Sequence, residues 1–290
     1  MDLDLLRAFA VFARLRNFTL AARALHCSQP ALHGQVRRLQ EHLGVPLYRR
    51  RGRHLELTAE GVRVAGFAHE MEDRARRFVA ELRGEEGTPS VALCAGEGAF
   101  AHLLGDGLRA FLARGTALLQ LLTRDRDGAL EAVRSGEAGL GVAPLDQAPS
   151  DLHSEVLAVV PQVLAVPEGH ALAGAGPVSV RALAHQRLVV PHAGRPQREA
   201  LERALSGVPW QPAVEAHGWD LMLRFVALGV GVAVVNGFCA APSGVCLRPV
   251  RELAPLRYRL FWRRTDHAVP GLVALAEDLR RATTRWRQGE

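Results

Sequence analysis

The sequence predicts an α+β chain in three parts: a winged helix-turn-helix over residues 1–58, a linker helix over 59–87, and a two-lobed α/β body over 88–290. Three observations predict it. The first is charge. Residues 1–58 hold ten arginines against four acids, and the remaining 232 residues balance 26 arginines against 26 acids, so the whole formal charge of +6 sits in the first fifth of the chain. A basic module on a neutral body points to a polyanion at one end and a different task at the other. The second is a run of short, capped helical segments followed by an arginine-rich hairpin. The third is the regular alternation of apolar strands and amphipathic helices after residue 88.

The first helix is expected over Leu3–Arg16, with Leu6, Phe9, Ala10 and Ala13 on one face. Asn17-Phe18-Thr19 breaks it, and Thr19 is expected to cap a second helix over Leu20–Leu25. In C-S-Q-P-A-L-H-G-Q-V-R-R (27–38), Ser28 supplies a hydroxyl to cap a third helix, and Pro30 is tolerated in its first turn, where N–H groups lack intrahelical partners. Leu32, Val36, Leu39 and Leu43 form its buried stripe. Its outward side carries Pro30, Gly34, Arg37 and Arg38, with Gln29 and His33 on the flanks, and Gly44 stops it. Such a helix, polar at its start and basic beyond, suits the reading helix of a helix-turn-helix, where arginine pairs with guanine or clamps a phosphate. A solvated basic helix in an ordinary bundle fits these residues equally well.

Residues 47–57, L-Y-R-R-R-G-R-H-L-E-L, read as a hairpin turning near Gly52, a wing carrying Arg49, Arg50, Arg51 and Arg53. Thr58 then caps a helix of about Ala59 to Arg83. Its apolar residues Val64, Ala68, Met71, Ala75, Phe78 and Leu82 follow a heptad spacing that predicts a dimer seam.

Thr88-Pro89 is a hinge. Beyond it, strands are expected at Ser90–Cys94, Leu118–Leu122 and Leu140–Ala143, with helices at Phe100–Ala113 and Gly128–Ser135 between them. Val156–Pro167 crosses to a second lobe. That lobe is expected to contain helix Val180–Ala184, strand Leu188–Val190, helix Arg198–Leu205, strand Ala213–Ala216, helix Trp219–Leu228 and strand Val232–Val235. Leu256–Trp262 returns to the first lobe and Gly271–Trp286 closes the chain, with lobe 1 drawn at 88–160 and 262–290 and lobe 2 at 161–261. Two α/β halves joined by two crossings create a cleft at the carboxyl ends of the strands.

Composition excludes several classes. Cysteines at 27, 94, 239 and 246 show neither C-x-x-C pairs nor regular spacing, which suits a reducing cytosol better than a disulfide framework or zinc site. No uncharged apolar run approaches the roughly 18 residues of a membrane span. No G-x-S-x-G, H-E-x-x-H or Walker sequence appears, and His153-Ser154-Glu155 are neighbours in sequence rather than a spatial triad. The expectation is a cytoplasmic protein that is not an enzyme, with no catalytic residues, metal or cofactor.

Residues 5–67 carry a dense set of motifs: A-A-R-A-L, S-Q-P-A-L, R-R-L, L-G-V-P-L and L-T-A-E-G. In this stretch the chain resembles the DNA-binding end of LysR-type transcriptional regulators, and the remainder resembles their effector domain, itself similar to periplasmic binding proteins. The resemblance implies double-stranded DNA as partner, contacted through Thr19, Ser28, Gln29, Pro30, His33, Arg37, Arg38, Arg49, Arg50, Arg51 and Arg53. It also implies a homodimer through the linker helix, assembling to a tetramer. His33 stands where the family commonly has serine and Gln40 where it has glutamate, and Gly34 costs about 1 kcal/mol of helix propensity relative to alanine.

For the effector cleft, the resemblance brings in Gly96, Glu97 and Gly98 after the first strand and Asp125 and Arg126 after the second. The second lobe adds His192, His217, Trp219 and Asn236. Gly-Glu-Gly and Asp-Arg replace the hydroxyl residues usual at the first two positions. Glu97 opposed by Arg126 predicts a polar or zwitterionic effector, while Glu97 as a carboxylate at a helix N-terminus is the plainer reading. Some relatives sense peroxide through effector-domain cysteines, which makes a thiol-based redox sensor using Cys239 or Cys246 the alternative.

Overall fold

The computed structural model describes residues 2–51, 54–82, 90–115, 117–266 and 269–286. Arg53, the turn at Gly52 and the Thr88-Pro89 hinge lie outside them.

The N-terminal module packs α1 (Leu3–Leu15), α2 (Phe18–Ala24) and α3 (Gln29–Leu43) around Phe9, Phe12, Leu32, Val36 and Leu39, all buried. Phe12 stacks on Phe18 at 4.1 Å between centroids and meets Tyr48 edge-on at 5.2 Å. Asn17, not Thr19, caps α2: its Oδ1 accepts from the amides of Thr19 and Leu20. Asparagine is among the strongest N-caps, so the helix begins one residue after it and two before the expected start. Ser28 Oγ accepts from the Ala31 amide, as its position predicts, and Gly44 ends α3 at φ 68°.

The wing is an antiparallel hairpin, β1 (Tyr48–Arg51) with β2 (His54–Leu57), in register Tyr48↔Leu57 to Arg51↔His54. Gln40 holds its root, accepting the Leu47 amide at 2.8 Å. Thr58 then starts α4 (Ala59–Leu82), accepting from the Gly61 amide and donating to the Pro46 carbonyl. The expected seam divides here. Ala68, with Ala65, is buried against the N-terminal core and Val64 packs beside it, so the first part of the stripe closes this chain's own fold. Phe78 and Val79 remain uncovered at 58% and 43% exposure.

The body contains two five-stranded mixed sheets. The first orders β4-β3-β5-β12-β6, from β3 (Ser90–Ala95), β4 (Leu118–Thr123), β5 (Leu140–Pro144), β6 (His153–Val160) and β12 (Leu256–Trp262). Its helices are α5 (Glu97–Ala99), which runs through a π-helical turn (Phe100–Leu104) into α6 (Gly105–Ala113), then α7 (Arg126–Arg134) and α10 (Pro270–Ala282). The second orders β11-β7-β10-β8-β9, from β7 (Gln162–Pro167), β8 (Arg187–Val190), β9 (Gln211–Glu215), β10 (Val232–Asn236) and β11 (Val245–Pro249), with helices α8 (Pro196–Ala204) and α9 (Trp219–Ala227).

The structure sharpens the expected body at four points. Leu256–Trp262 returns to the first sheet as expected, antiparallel between β5 and β6, which puts the lobe boundary before Leu256 rather than at 262. The apolar run 156–167 crosses between the lobes as expected, as the end of β6 and all of β7, divided at Pro161, with each strand in a different sheet. The expected helix at 180–184 is a 3-10 turn over Val180–Leu183. The strand β11 was not anticipated, since its V-C-L-R-P carries no clear alternation.

Candidate effector cleft and nucleic-acid interface

On the N-terminal module, the buried stripe of α3 dictates what is left outside. Gln29, Pro30, His33, Arg37 and Arg38 are exposed, as are Arg49, Arg50 and Arg51 on the wing. Thr19 Oγ1 donates to Gln29 Oε1 at 3.2 Å, tying the first turns of α2 and α3 together. His33 is held rather than free: its ring lies 4.9 Å from Phe18 and its Nε2 is 3.3 Å from the Tyr48 hydroxyl. Arg37 pairs with Glu41 at 2.8 Å, and Glu56 lies within 3.5 Å of both Arg49 and Arg51. An open groove runs along this face, lined by Arg16, Asn17, Thr19, Gln29 and Arg51 among others. Exposed arginines beside the starts of α2 and α3 are suited to phosphate oxygens, and the front of α3 to base edges.

Between the lobes lies a cleft of about 220 Å³. Of the expected residues, Gly96, Glu97, Gly98, Asp125, Arg126, His217 and Trp219 line it. Gly96 is the N-cap of α5 and Glu97 its first residue, so the helix starts three residues earlier than expected and places a carboxylate in its first turn. Gly98 is required by the opposite lobe: a Cβ there would stand 2.2 Å from Trp219 Cδ1. Asp125 caps α7 through the Gly128 amide, and Arg126 leans on Asp127 at 3.3 Å. The Glu97 carboxylate has neither hydrogen bond nor ion pair to another described residue, although its backbone carbonyl accepts from the Phe100 amide. Its Oε2 points toward Gly218 in lobe 2, 3.7 Å from where a Cβ would sit.

The opposing wall differs from expectation. Arg195 sits at the N-cap position of α8 with no side-chain cap, and its Nη2 lies 3.3 Å from His217 Nδ1. His192 stands outside the lining residues, stacked 6.4 Å from His217 and 3.6 Å from Glu215. Asn236 is fully buried beneath the floor. There Gln197 Nε2 donates to Asn236 Oδ1 at 3.3 Å, and Asn236 Nδ2 donates to the Tyr258 hydroxyl at 2.7 Å, joining α8 and β10 of one lobe to β12 of the other. Burial pushes the Tyr258 phenol far above its ordinary range, so it stays protonated.

Sequence reasoning missed Arg195, Gln197 and Tyr258. The signal for the first two was present, since R-P-Q follows a strand end and Pro marks a helix's first turn. Tyr258 reaches the floor only because β12 returns to the first sheet.

Further contacts join the lobes. His102 Nε2 lies 3.1 Å from Asp220 Oδ1, and its ring stacks 6.3 Å from Phe238, which meets Tyr258 edge-on. No group of three or more His, Cys, Asp or Glu among the described residues is arranged to hold a metal, and no described helix is long and apolar enough to cross a membrane.

A basic winged helix-turn-helix, carried by a long helix on a two-lobed α/β domain with a polar cleft, defines a DNA-binding transcriptional regulator with an effector-binding domain. The chain belongs to the LysR family: residues 3–62 match the bacterial regulatory helix-turn-helix protein model of that family and residues 84–284 the LysR substrate binding domain. It is 30% identical over 292 residues to the HTH-type transcriptional regulator IlvR of Caulobacter vibrioides, covering 95% of this chain and 96% of that protein. Its fold is similar to a full-length OxyR variant of Pseudomonas aeruginosa (TM-score 0.71, 21% identity, 97% and 95% of the two chains). It is also similar to full-length CbnR in complex with its target DNA (TM-score 0.58, 23% identity, 97% and 100% covered).

Proposed function

We propose that this chain is a cytoplasmic, non-enzymatic regulator that binds double-stranded DNA sequence-specifically, under control of a compact zwitterionic metabolite held between the lobes. The observation that carries the ligand class is the unpartnered Glu97 carboxylate on one wall of the cleft, with Arg195 and His217 on the other. A plain carboxylate gains from Arg195 and is repelled by Glu97. A ligand with both an ammonium and a carboxylate satisfies both walls through charge-assisted hydrogen bonds, and closing the lobes on it strengthens each. Arg126 also lines the cleft, on the same lobe as Glu97, and Arg195 adds a cation from the other lobe, which makes the opposed charges a reason for closure. A cavity smaller than the ~300–1,000 Å³ usual for drug-sized ligands calls for a small molecule.

The oligomer we propose is a dimer through the uncovered end of α4, with pairs of dimers forming a tetramer. Thiol sensing has less support: burial pushes the Cys239 thiol up to about 12 and the Cys94 thiol to about 11, leaving both protonated and unreactive near neutral pH.

The test is a thermal-shift comparison of L-amino acids with their N-acetyl and carboxamide derivatives on the full chain. Stabilisation by a free amino acid, lost with either derivative and reduced in Glu97→Ser and Arg195→Gln, is the expected result. Tight binding of an apolar acid, unaffected by Glu97→Ser, would reduce Glu97 to a helix-terminal carboxylate.

A further inference from the structure

Helix α7 joins the two functional regions. α7 begins at the effector cleft, where Asp125 caps it and Arg126 lines the wall. Midway along, Glu131 Oε1 accepts a hydrogen bond from Arg16 Nη2 at 2.7 Å, a contact between the sensor domain and the DNA-binding module. At its far end, the Arg134 carbonyl packs on α4 so closely that a Cβ on Gly66 would come within 2.9 Å. Nine residues of helix span about 13 Å, so one rigid element reaches from the cleft to the module.

Arg16 is a significant partner. It ends α1 in the left-handed conformation (φ 48°), which turns the chain into Asn17 and the start of α2. In that position it lines the open groove shared with Asn17, Thr19, Gln29 and Arg51, residues placed for the DNA backbone. A guanidinium beside the start of a helix is a natural phosphate clamp. Here Glu131 occupies it, so the chain presents an acid where the polyanion would approach.

We infer that α7 masks the DNA-binding module: Glu131 and a DNA phosphate compete for the Arg16 guanidinium, and the same helix carries the outcome to the cleft. The pair is partly exposed (43% and 29%), in the range where an ion pair is weak enough to exchange for another anion. Duplex DNA competes well because each neutralised phosphate also releases counterions. Because coupling is reciprocal, whatever shifts α7 from the cleft end alters the availability of Arg16, and DNA binding alters the cleft end of α7. This goes beyond the proposed effector chemistry. The competition rests only on the DNA-binding module, while its extension to the cleft rests on the interlobe site.

The experiment needs no effector. Binding of a random-sequence duplex is measured across a salt series for wild type, Glu131→Gln, Arg16→Gln and the double variant. Glu131→Gln is expected to bind about two- to fivefold more tightly, as for loss of one competing surface ion pair. Its salt dependence should steepen by about one unit of slope, for one more phosphate contact. The double variant should match Arg16→Gln. Identical affinity and slope in wild type and Glu131→Gln, or a gain that persists without Arg16, overturns the mask. Hydrogen exchange at residues 124–128 then tests the link to the cleft: saturating duplex should change it in wild type and not in Glu131→Gln. An equal response in both overturns the link while leaving the competition standing. A duplex that fails to bind wild type at all overturns the mask together with the DNA-binding reading.

Discussion

The N-terminal module and the effector cleft carry functional arginines and acids in different ways. In the module, position follows from folding. Asn17, Ser28 and Thr58 each satisfy a helix start, and the stripe Leu32-Val36-Leu39 turns Arg37 and Arg38 outward. The same residues that build the fold aim the cations. In the cleft, the scaffold fixes where a ligand sits but not which side chains meet it. Glu97, Arg195 and His217 come from loops and helix starts on two lobes, and nothing in the core requires their charge. Recognition of a universal partner, the phosphate backbone, is built into the framework, whereas recognition of a particular metabolite is added at its edges.

The largest effect that would sharpen this contrast comes from the module's core. Phe12 is fully buried between Phe18 and Tyr48, one of which lies on α2 and the other on the wing. Phe12→Ala should destabilise the module by about 3–5 kcal/mol. Calorimetry of the full chain should show an early transition for the module, with the transition of the effector domain unmoved. Next is the far half of α4. Phe78→Asp with Val79→Asp places charges on an uncovered face and should leave each chain folded while splitting the assembly in sedimentation and abolishing tight operator binding. Unchanged sedimentation would mean that this face is simply solvated.

The same contrast explains what could be read without coordinates. Helices α1, α3 and α4 and the wing were legible because capping and 3.6-residue periodicity act locally. Misplacement of the α2 cap by two residues shows the limit: Asn17 and Thr19 are both competent caps, and the modest preference for asparagine is easily passed over when the two stand so close. The two-lobed body was legible as an alternation, but its sheets are mixed, and the antiparallel placement of β12 depends on contacts about a hundred residues distant. In the cleft, the lobe 1 residues follow strand ends and were found. Asn236 was assigned to the lining but belongs to the buried network with Gln197 and Tyr258, because alternation along β10 does not tell which face the cleft lies on.

A smaller effect separates two kinds of arginine within the module. Arg37, midway along α3, is expected to meet base edges, and Arg50, on the wing, is expected to meet phosphate. Arg50→Ala should weaken operator and random duplex alike and flatten the salt dependence by about one unit of slope. Arg37→Ala should weaken operator more than random duplex, narrowing their ratio. Equal responses of both duplexes to both variants would remove α3 as the reader.

The smallest effect concerns a residue of the effector domain that contributes to the fold alone. Cys239 is 4% exposed and follows β10, and its thiol is pushed up to about 12 chiefly by burial, against an ordinary value near 8.5. A raised pKa means that the unfolded chain loses this proton first. The associated stability is therefore complete below about pH 8.5 and declines as pH rises from there through 12. At pH 7 to 8 the native thiol is neutral, and it is the thiolate that attacks disulfides and peroxides. Cys239 should then react with a disulfide reagent only at the rate of unfolding, accelerating with denaturant, while Cys246, partly exposed on β11, reacts without it. Cys239→Ser should leave DNA binding unchanged in the presence and absence of peroxide. A fast native-state reaction at Cys239, with operator affinity shifting as it proceeds, would make the cysteine a sensor and move specificity from the rim of the cleft into its core.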